Sequence, residues 1–385
     1  MSEKIDRAAE STETRCASGL GPDSPRVWLI VGEKRGDNAQ IRNLARAVGW
    51  PFEEKMIRVA PQWVDRKPPV AATLAHIDAG HSDGLEGPWP DLVITAGRRL
   101  ASVGLWIKQA SGGRTRLVAI GKPRGHAADF DLIVLAAHYV MRDAPNLTRH
   151  ALPLMHVDSE RLAEAKKAWA GRLLLLPRPL TALMIGGPTG GLRFDVETAR
   201  ELLSKTHEHV ESHRGSLFIT TSRRTPRAIA EWLRDSSSAS VQLSLYDPDA
   251  SPEGNPYQGL LALADDFVVT SDSLSMMVEV ARLGRPLAIH PLEREAGAIE
   301  RALCAAGLMR RLSPKTDPIP AGGLASRLFA ALGWPIHSRD LSAVPRLLVE
   351  QGMASWLGEP GGRPRANADN ALEEVAVRIR ALFRG

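Results

Sequence analysis

Several things are scarce in this 385-residue chain. Cysteine occurs twice, at Cys16 and Cys304, with no CxxC pair. That excludes a disulfide-framed fold and fits a reducing compartment. Aromatic residues make up 5%, too few for a platform that stacks single-stranded nucleic acid. There is no long block of like charges, so the formal net charge of +5 is spread along the chain. Nucleic acid is therefore not an expected partner, whereas an anionic ligand or an anionic membrane surface is compatible. No apolar run reaches the roughly 18 residues of a transmembrane helix. Residues 1–25 lack the apolar core of a secretory signal and read as a polar, disordered arm. The expected location is cytoplasmic, with any membrane contact peripheral, at the inner membrane. No HExxH and no Cys/His cluster marks a metal site. Asp247-Pro248-Asp249 is formally an Asp-x-Asp, but its Pro- and Ser-rich surroundings read as a turn.

What is present is ordinary for a soluble globular protein: 44% hydrophobic and 24% charged residues. At roughly 100–200 residues per domain, the length suggests two domains. Apolar runs at 26–31, 91–95, 116–120 and 131–135 are each followed closely by glycine or histidine. Helical spacing follows the first two of them. Strands that are apolar throughout and alternate with helices signal a parallel sheet covered on both faces. A helix near 158–170 precedes Leu173-Leu174-Leu175-Leu176-Pro177-Arg178-Pro179, whose prolines suit a linker over 171–180. The rhythm then restarts, with strands at 181–185, 216–220, 241–245, 266–270 and 286–290. The fold class is α/β, with two Rossmann-like doubly wound parallel-sheet domains facing a cleft. Residues 26–170 are expected to form the N-terminal domain and residues 181–350 the C-terminal one; the resemblance given below implies an acceptor side for the first and a nucleotide-sugar side for the second. The tail over 365–385 reads as an amphipathic helix, which the resemblance given below implies packs back on the first domain.

Ligands of open parallel sheets bind beyond the carboxyl ends of the strands, so the loops there hold the candidate chemistry. Thr270-Ser271-Asp272-Ser273-Leu274-Ser275-Met276 ends a strand and opens a helix. Free N–H groups and the helix dipole at such a point favour a diphosphate. Glu279 lies one turn beyond Ser275 and suits ribose hydroxyls. The alternative is plain helix capping. Gly186-Gly187-Pro188-Thr189-Gly190-Gly191 follows another strand and is read either as a phosphate-approaching loop or as a flexible turn. Arg223 and Arg224 follow a third strand and are either diphosphate ligands or surface arginines. In the first half, Gly32-Glu33-Lys34-Arg35-Gly36-Asp37-Asn38-Ala39-Gln40 joins a strand to its helix. Asp37 is either an N-cap or the general base for an acceptor hydroxyl. Arg98, Arg99, Lys122 and Arg124 end later strands and offer cations to an anionic acceptor, and His138 follows another. No Ser-His-Asp triad is recognisable.

These motifs, in this order, resemble the mitochondrial-fission "elongated mitochondria" family of plants and its bacterial relatives, over about residues 26–350. The length and the Arg/Ala-rich composition suggest a bacterial member. Plant members act at the mitochondrial surface by recruiting a dynamin-like GTPase, a role that does not carry over to a bacterium. The resemblance implies a fold like the GT-B glycosyltransferases. It also likens the Gly36-Asp37 loop to the one carrying the catalytic aspartate of lipopolysaccharide heptosyltransferases.

The resulting expectation is a metal-independent transferase without a cofactor, taking a nucleoside-diphosphate sugar as donor and a cell-envelope glycan or glycolipid as acceptor. Gly186, Gly187, Thr189, Arg223, Arg224, Ser271, Asp272, Ser273, Ser275, Met276 and Glu279 hold the nucleotide. Glu33, Lys34, Arg35, Gly36, Gln40, Arg98, Lys122 and His138 hold the acceptor, and Asp37 is the base. The alternatives are a non-catalytic adaptor on the same fold and a nucleotide-sugar epimerase or hydrolase.

Overall fold

The computed structural model describes residues 24–384 apart from 65, 67–69, 237–240, 248–253, 308–312, 318–338 and 361–369. The arm at 1–25 therefore lies almost wholly outside the described residues. So do most of the Asp-x-Asp turn and the first part of the 365–385 segment.

The chain divides into two compact units. The first runs to Met155 and regains the C-terminal helix; the second begins at His156. In the first, strands β1 (Val27–Val31), β2 (Phe52–Met56), β3 (Leu92–Ala96), β4 (Arg116–Ile120), β5 (Leu132–Ala136) and β6 (Leu147–His150) form one sheet. Its order is β2-β1-β3-β4-β5-β6, parallel throughout. Helix α1 (Arg35–Val48) follows β1, and α2 (Arg98–Ala110) follows β3. All five residues of β1 are buried, and alternation sends them to opposite faces. Val27, Leu29 and Val31 join Ile41, Leu44 and Val48 of α1. Trp28 and Ile30 join Leu100, Val103 and Ile107 of α2. Helix α1 stops at Gly49, whose φ of 79° is left-handed and favours glycine.

The C-terminal helix α10 (Ala371–Ala381) places Ala371, Val375, Ala376 and Ile379 in the same core as α1. Trp50 meets Phe383 edge-on at 5.0 Å. Arg380 donates to the carbonyl oxygens of Ala47 and Val48, completing the end of α1.

The second unit holds β7 (Leu180–Ile185), β8 (Ser216–Thr221), β9 (Val241–Ser244), β10 (Asp266–Thr270), β11 (Leu287–His290) and the short β12 (Ser355–Trp356). Their order is β12-β11-β10-β7-β8-β9, again parallel. Its helices are α3 (Ser159–Leu173), α4 (Val196–Ser212), α5 (Arg227–Ser236), α6 (Tyr257–Leu263), α7 (Leu274–Arg282), α8 (Ala298–Ala305) and α9 (Ala343–Glu350). Both units are thus doubly wound α/β, the class read from the sequence.

The boundary differs from the expected one. Helix α3 belongs to the second unit because it packs on α6. A Cβ on Gly259 would stand 2.4 Å from Trp169, so only glycine lets the two helices meet there. Residues 171–180 are not a free linker either. Leu173 closes α3, Ser216 donates to the carbonyl of Pro177 at 2.6 Å, and Arg178 pairs with Asp265 at 2.6 Å.

Candidate functional site

In the second sheet β7 lies between β8 and β10, and the strand order reverses at β7/β10. That reversal opens a crevice at the carboxyl ends of the strands. The loops after β7, β8 and β10 meet there, and Asp272 ties them together. Its carboxylate accepts from the N–H of Gly187 at 2.9 Å, from Thr270 Oγ1 at 2.7 Å and from Ser273 Oγ at 3.1 Å. Arg224 Nη2 stands 2.9 Å away. Burial pushes the Asp272 carboxyl up, while Arg224 and these donors pull it down. Thr270 Oγ1 also accepts from the N–H of Gly186 at 2.9 Å, and Thr225 donates to the carbonyl of Gly186 at 2.6 Å.

The two glycines serve this junction rather than an open cradle. A Cβ on Gly186 would lie 2.1 Å from the Asp272 carboxylate. One on Gly187 would lie 1.8 Å from the carbonyl oxygen of Arg224. Asp272 likewise braces the loops; a buried carboxylate facing four donors has no place against a phosphate. Ser271 is turned inward too, its Oγ accepting from the N–H of Leu292 at 2.9 Å.

What remains toward the crevice is cationic and donor-rich. Ser273 stands at the N-cap of α7 without a side-chain capping bond. The first N–H groups of that helix are therefore left for a ligand. Arg224 Nη2 reaches Ser273 Oγ at 3.3 Å, and Nη1 reaches the carbonyl of Gly187 at 3.0 Å and the hydroxyl of Thr189. Its side chain keeps 37% of its surface exposed. Arg223 is exposed beside it, and Ser275 and Met276 sit half-buried in the first turn of α7. Glu279 follows one turn on. Burial pushes its carboxyl up to about 7, against the pull of a hydrogen bond from the Tyr257 hydroxyl. Tyr257 and Thr225 were not singled out from the sequence. Thr225 stands directly after the two arginines, and Tyr257 follows Asn255-Pro256, a helix-opening pair.

In the first sheet the order reverses at β1/β3, and Asp37 sits at that point. It is the third residue of α1, not its cap; Lys34 is the cap. Gly97, with a φ of 78°, lies so close that an added Cβ would stand 3.4 Å from Asp37 Oδ2. Lys34 Nζ is 3.8 Å from the carboxylate. The loop-closing residue is instead Asn38, which bonds the N–H of Gly32 at 3.0 Å and its carbonyl at 2.6 Å. Glu33, Lys34 and Arg35 are exposed and Gly36 is half-buried.

Three expected acceptor groups have internal duties. Gln40 bridges the carbonyl of Gly36 and the N–H of Leu154. Arg99 is held by the carbonyls of Trp63, Val64 and Arg66. Lys122 donates to the carbonyl of Val140 at 2.7 Å, and burial, aided by Arg124, lowers its pKa. His138 is buried and its ring lies 4.2 Å from that of Tyr139. Arg98 opens α2 half-buried beside Gly97.

The model of the mitochondrial fission ELM1 family matches residues 35–326. The chain belongs to that family. Mitochondrial fission protein ELM1 of Arabidopsis thaliana is 25% identical over 286 residues, covering 65% of this chain and 66% of that protein. The chain thus spans just under two thirds of the plant relative. An uncharacterised protein of Rickettsia prowazekii is 29% identical over 299 residues, covering 68% of this chain and 82% of its own length. Among solved structures, the S. aureus MnaA–UDP co-structure matches 94% of this chain and 97% of that one at 9% identity, with a TM-score of 0.48. So shallow a likeness adds nothing to the strand order, which itself shows two doubly wound α/β units. Among the described residues no helix is long and apolar enough to cross a membrane, and no group of His, Cys, Asp and Glu side chains is arranged to hold a metal ion.

Proposed function

We propose that this ELM1-family chain binds a nucleoside-diphosphate sugar at the β7/β10 crevice and transfers the sugar to an acceptor hydroxyl. One observation supports it most: Arg224 contacts Ser273 at the uncapped N-terminus of α7. A guanidinium and a helix dipole there act on the same point in space, and both favour a diphosphate. In the transfer, Asp37 takes the proton of the acceptor hydroxyl. The acceptor oxygen bonds to the anomeric carbon, and the bond from that carbon to the phosphate oxygen breaks. The nucleoside diphosphate leaves with the electron pair, and Arg224, Ser275 and the α7 N–H groups stabilise its charge. Glu279 accepts from the ribose.

A thermal-shift screen with UDP, GDP, ADP and CMP tests the donor site. Binding of one of the diphosphates is expected; no binding below millimolar removes the reading. Asp37→Asn is expected to abolish turnover and leave nucleotide affinity unchanged. The name of the Arabidopsis relative supports a second reading, a non-catalytic adaptor. Recovery of a stable protein partner by a chain that binds no nucleotide would favour it.

A further inference from the structure

The inference deepens the donor-site reading and rests on it. Glu279 and Ser275 are four residues apart on one face of α7, separated by a rise of about 6 Å. A diphosphate at the helix N-terminus would place its ribose at about that depth. The carboxylate waiting there is already half engaged. The Tyr257 hydroxyl donates to Glu279 Oε2. The other oxygen, Oε1, makes no hydrogen bond among the described residues. Tyr257 is itself anchored, because its N–H bonds to Asn255 Oδ1 at 3.0 Å where α6 begins. A phenol has a single proton to give. With that proton engaged in the hydrogen bond to Glu279, Tyr257 offers nothing further as a donor and fixes the orientation of the carboxylate. The free oxygen then accepts from a sugar hydroxyl. A sugar lacking that hydroxyl would cover this acceptor without pairing it, which is the strongest basis for discrimination that a site has.

We propose that Tyr257 is a positioning residue that locks the Glu279 carboxylate, and that the pair makes the site select ribonucleoside over 2′-deoxyribonucleoside diphosphates. Among the described residues Tyr257 is the titratable group that acts on Glu279. Helix α9 also packs on α7, but its Arg346 is committed to Asp340 at 2.5 Å. His290, at the end of the neighbouring β11, answers to Glu201, Lys205 and Lys315. The Tyr257 bond holds the Glu279 carboxyl below where burial alone would put it, so its loss raises that pKa further.

The test is calorimetric titration of the full chain with UDP, ADP, GDP and CDP, each beside its 2′-deoxy form, at several pH values around neutrality. The wild type is expected to bind a ribose form about tenfold or more tighter than its deoxy form. Tyr257→Phe is expected to remove most of that advantage and leave deoxy affinity unchanged. It also moves upward the pH below which ribonucleotide affinity is lost, a change that a merely structural role would not produce. Glu279→Gln serves as the second variant and is expected to abolish that pH dependence. Equal binding of both sugars by the wild type, or wild-type discrimination in Tyr257→Phe, overturns this inference and leaves the donor site standing. If no diphosphate of either sugar binds, the donor-site reading falls with it.

Discussion

Replacing Asp272 by alanine removes the acceptor shared by three loops. The N–H of Gly187, the hydroxyls of Thr270 and Ser273 and the guanidinium of Arg224 all lose their partner at once. Breaking a fully buried ion pair from one side costs about 3–5 kcal/mol. Here the Asp272 side chain is at 0% exposure but that of Arg224 is at 37%, so solvent screens one partner. The lower end, about 3 kcal/mol, is the reasoned figure. Arg224→Ala leaves the carboxylate buried but still holding three donors, at a cost of about 2 kcal/mol. With both gone no charge is stranded, so the double variant loses about 3–4 kcal/mol, less than the sum of about 5. Calorimetric melting reads this as a fall of about 6–12 °C in the second unit for Asp272→Ala. Hydrogen exchange localises the opening to the loops after β7, β8 and β10. Strictly additive single losses, or an Asp272→Ala midpoint within a degree or two of the wild type, would refute the reasoning.

Four further variants test other contacts. Gly187→Ala, whose Cβ would meet backbone at 1.8 Å, is expected to cost about 3 kcal/mol. Gly171→Ala, with open space around its Cβ inside α3, should instead stabilise by about 0.5–1 kcal/mol; denaturant titrations compare the two. His290 is buried, both ring nitrogens lack a partner among the described residues, and burial lowers its pKa to about 4. Because the folded pKa lies below the unfolded value, its neutral form favours folding above about pH 6.5, and that contribution is lost as pH falls towards 4. The stability gap between His290→Leu and the wild type is therefore expected to widen by about 3 kcal/mol in favour of the variant over that range, as read from urea midpoints. Asp37→Asn should leave the melting midpoint near that of the wild type, because among the described residues its carboxylate pairs only with Lys34, at 3.8 Å; a large drop would make Asp37 a structural residue.

The central strands were legible because they are apolar on both faces, as at 27–31 and 92–96, where every residue is buried. The edge strands β2 and β6 were not. Phe52-Glu53-Glu54-Lys55-Met56 is half solvated and reads as polar loop. The boundary at 171–180 misled because two prolines look like a linker, whereas Pro177 and Arg178 are pinned by Ser216 and Asp265. The motif loops could be located from strand–glycine–helix spacing. The division of labour inside them could not. Asp272, Ser271, Gly186 and Gln40 are spent on holding loops, and only three-dimensional contact separates a bracing side chain from a ligand-facing one. Tyr257 escaped because its partner lies 22 positions away in sequence.

The central claim is that the β7/β10 crevice receives a diphosphate through Arg224 and the N-terminus of α7. Its most direct test is calorimetric titration of the wild type and Arg224→Ala, below their melting temperatures, with nucleoside diphosphates and the parent nucleosides. The account predicts that one diphosphate binds the wild type and loses about tenfold or more in affinity in Arg224→Ala, while the parent nucleoside binds both proteins equally. Equal diphosphate affinity in the two proteins, or no diphosphate binding at all, would contradict it.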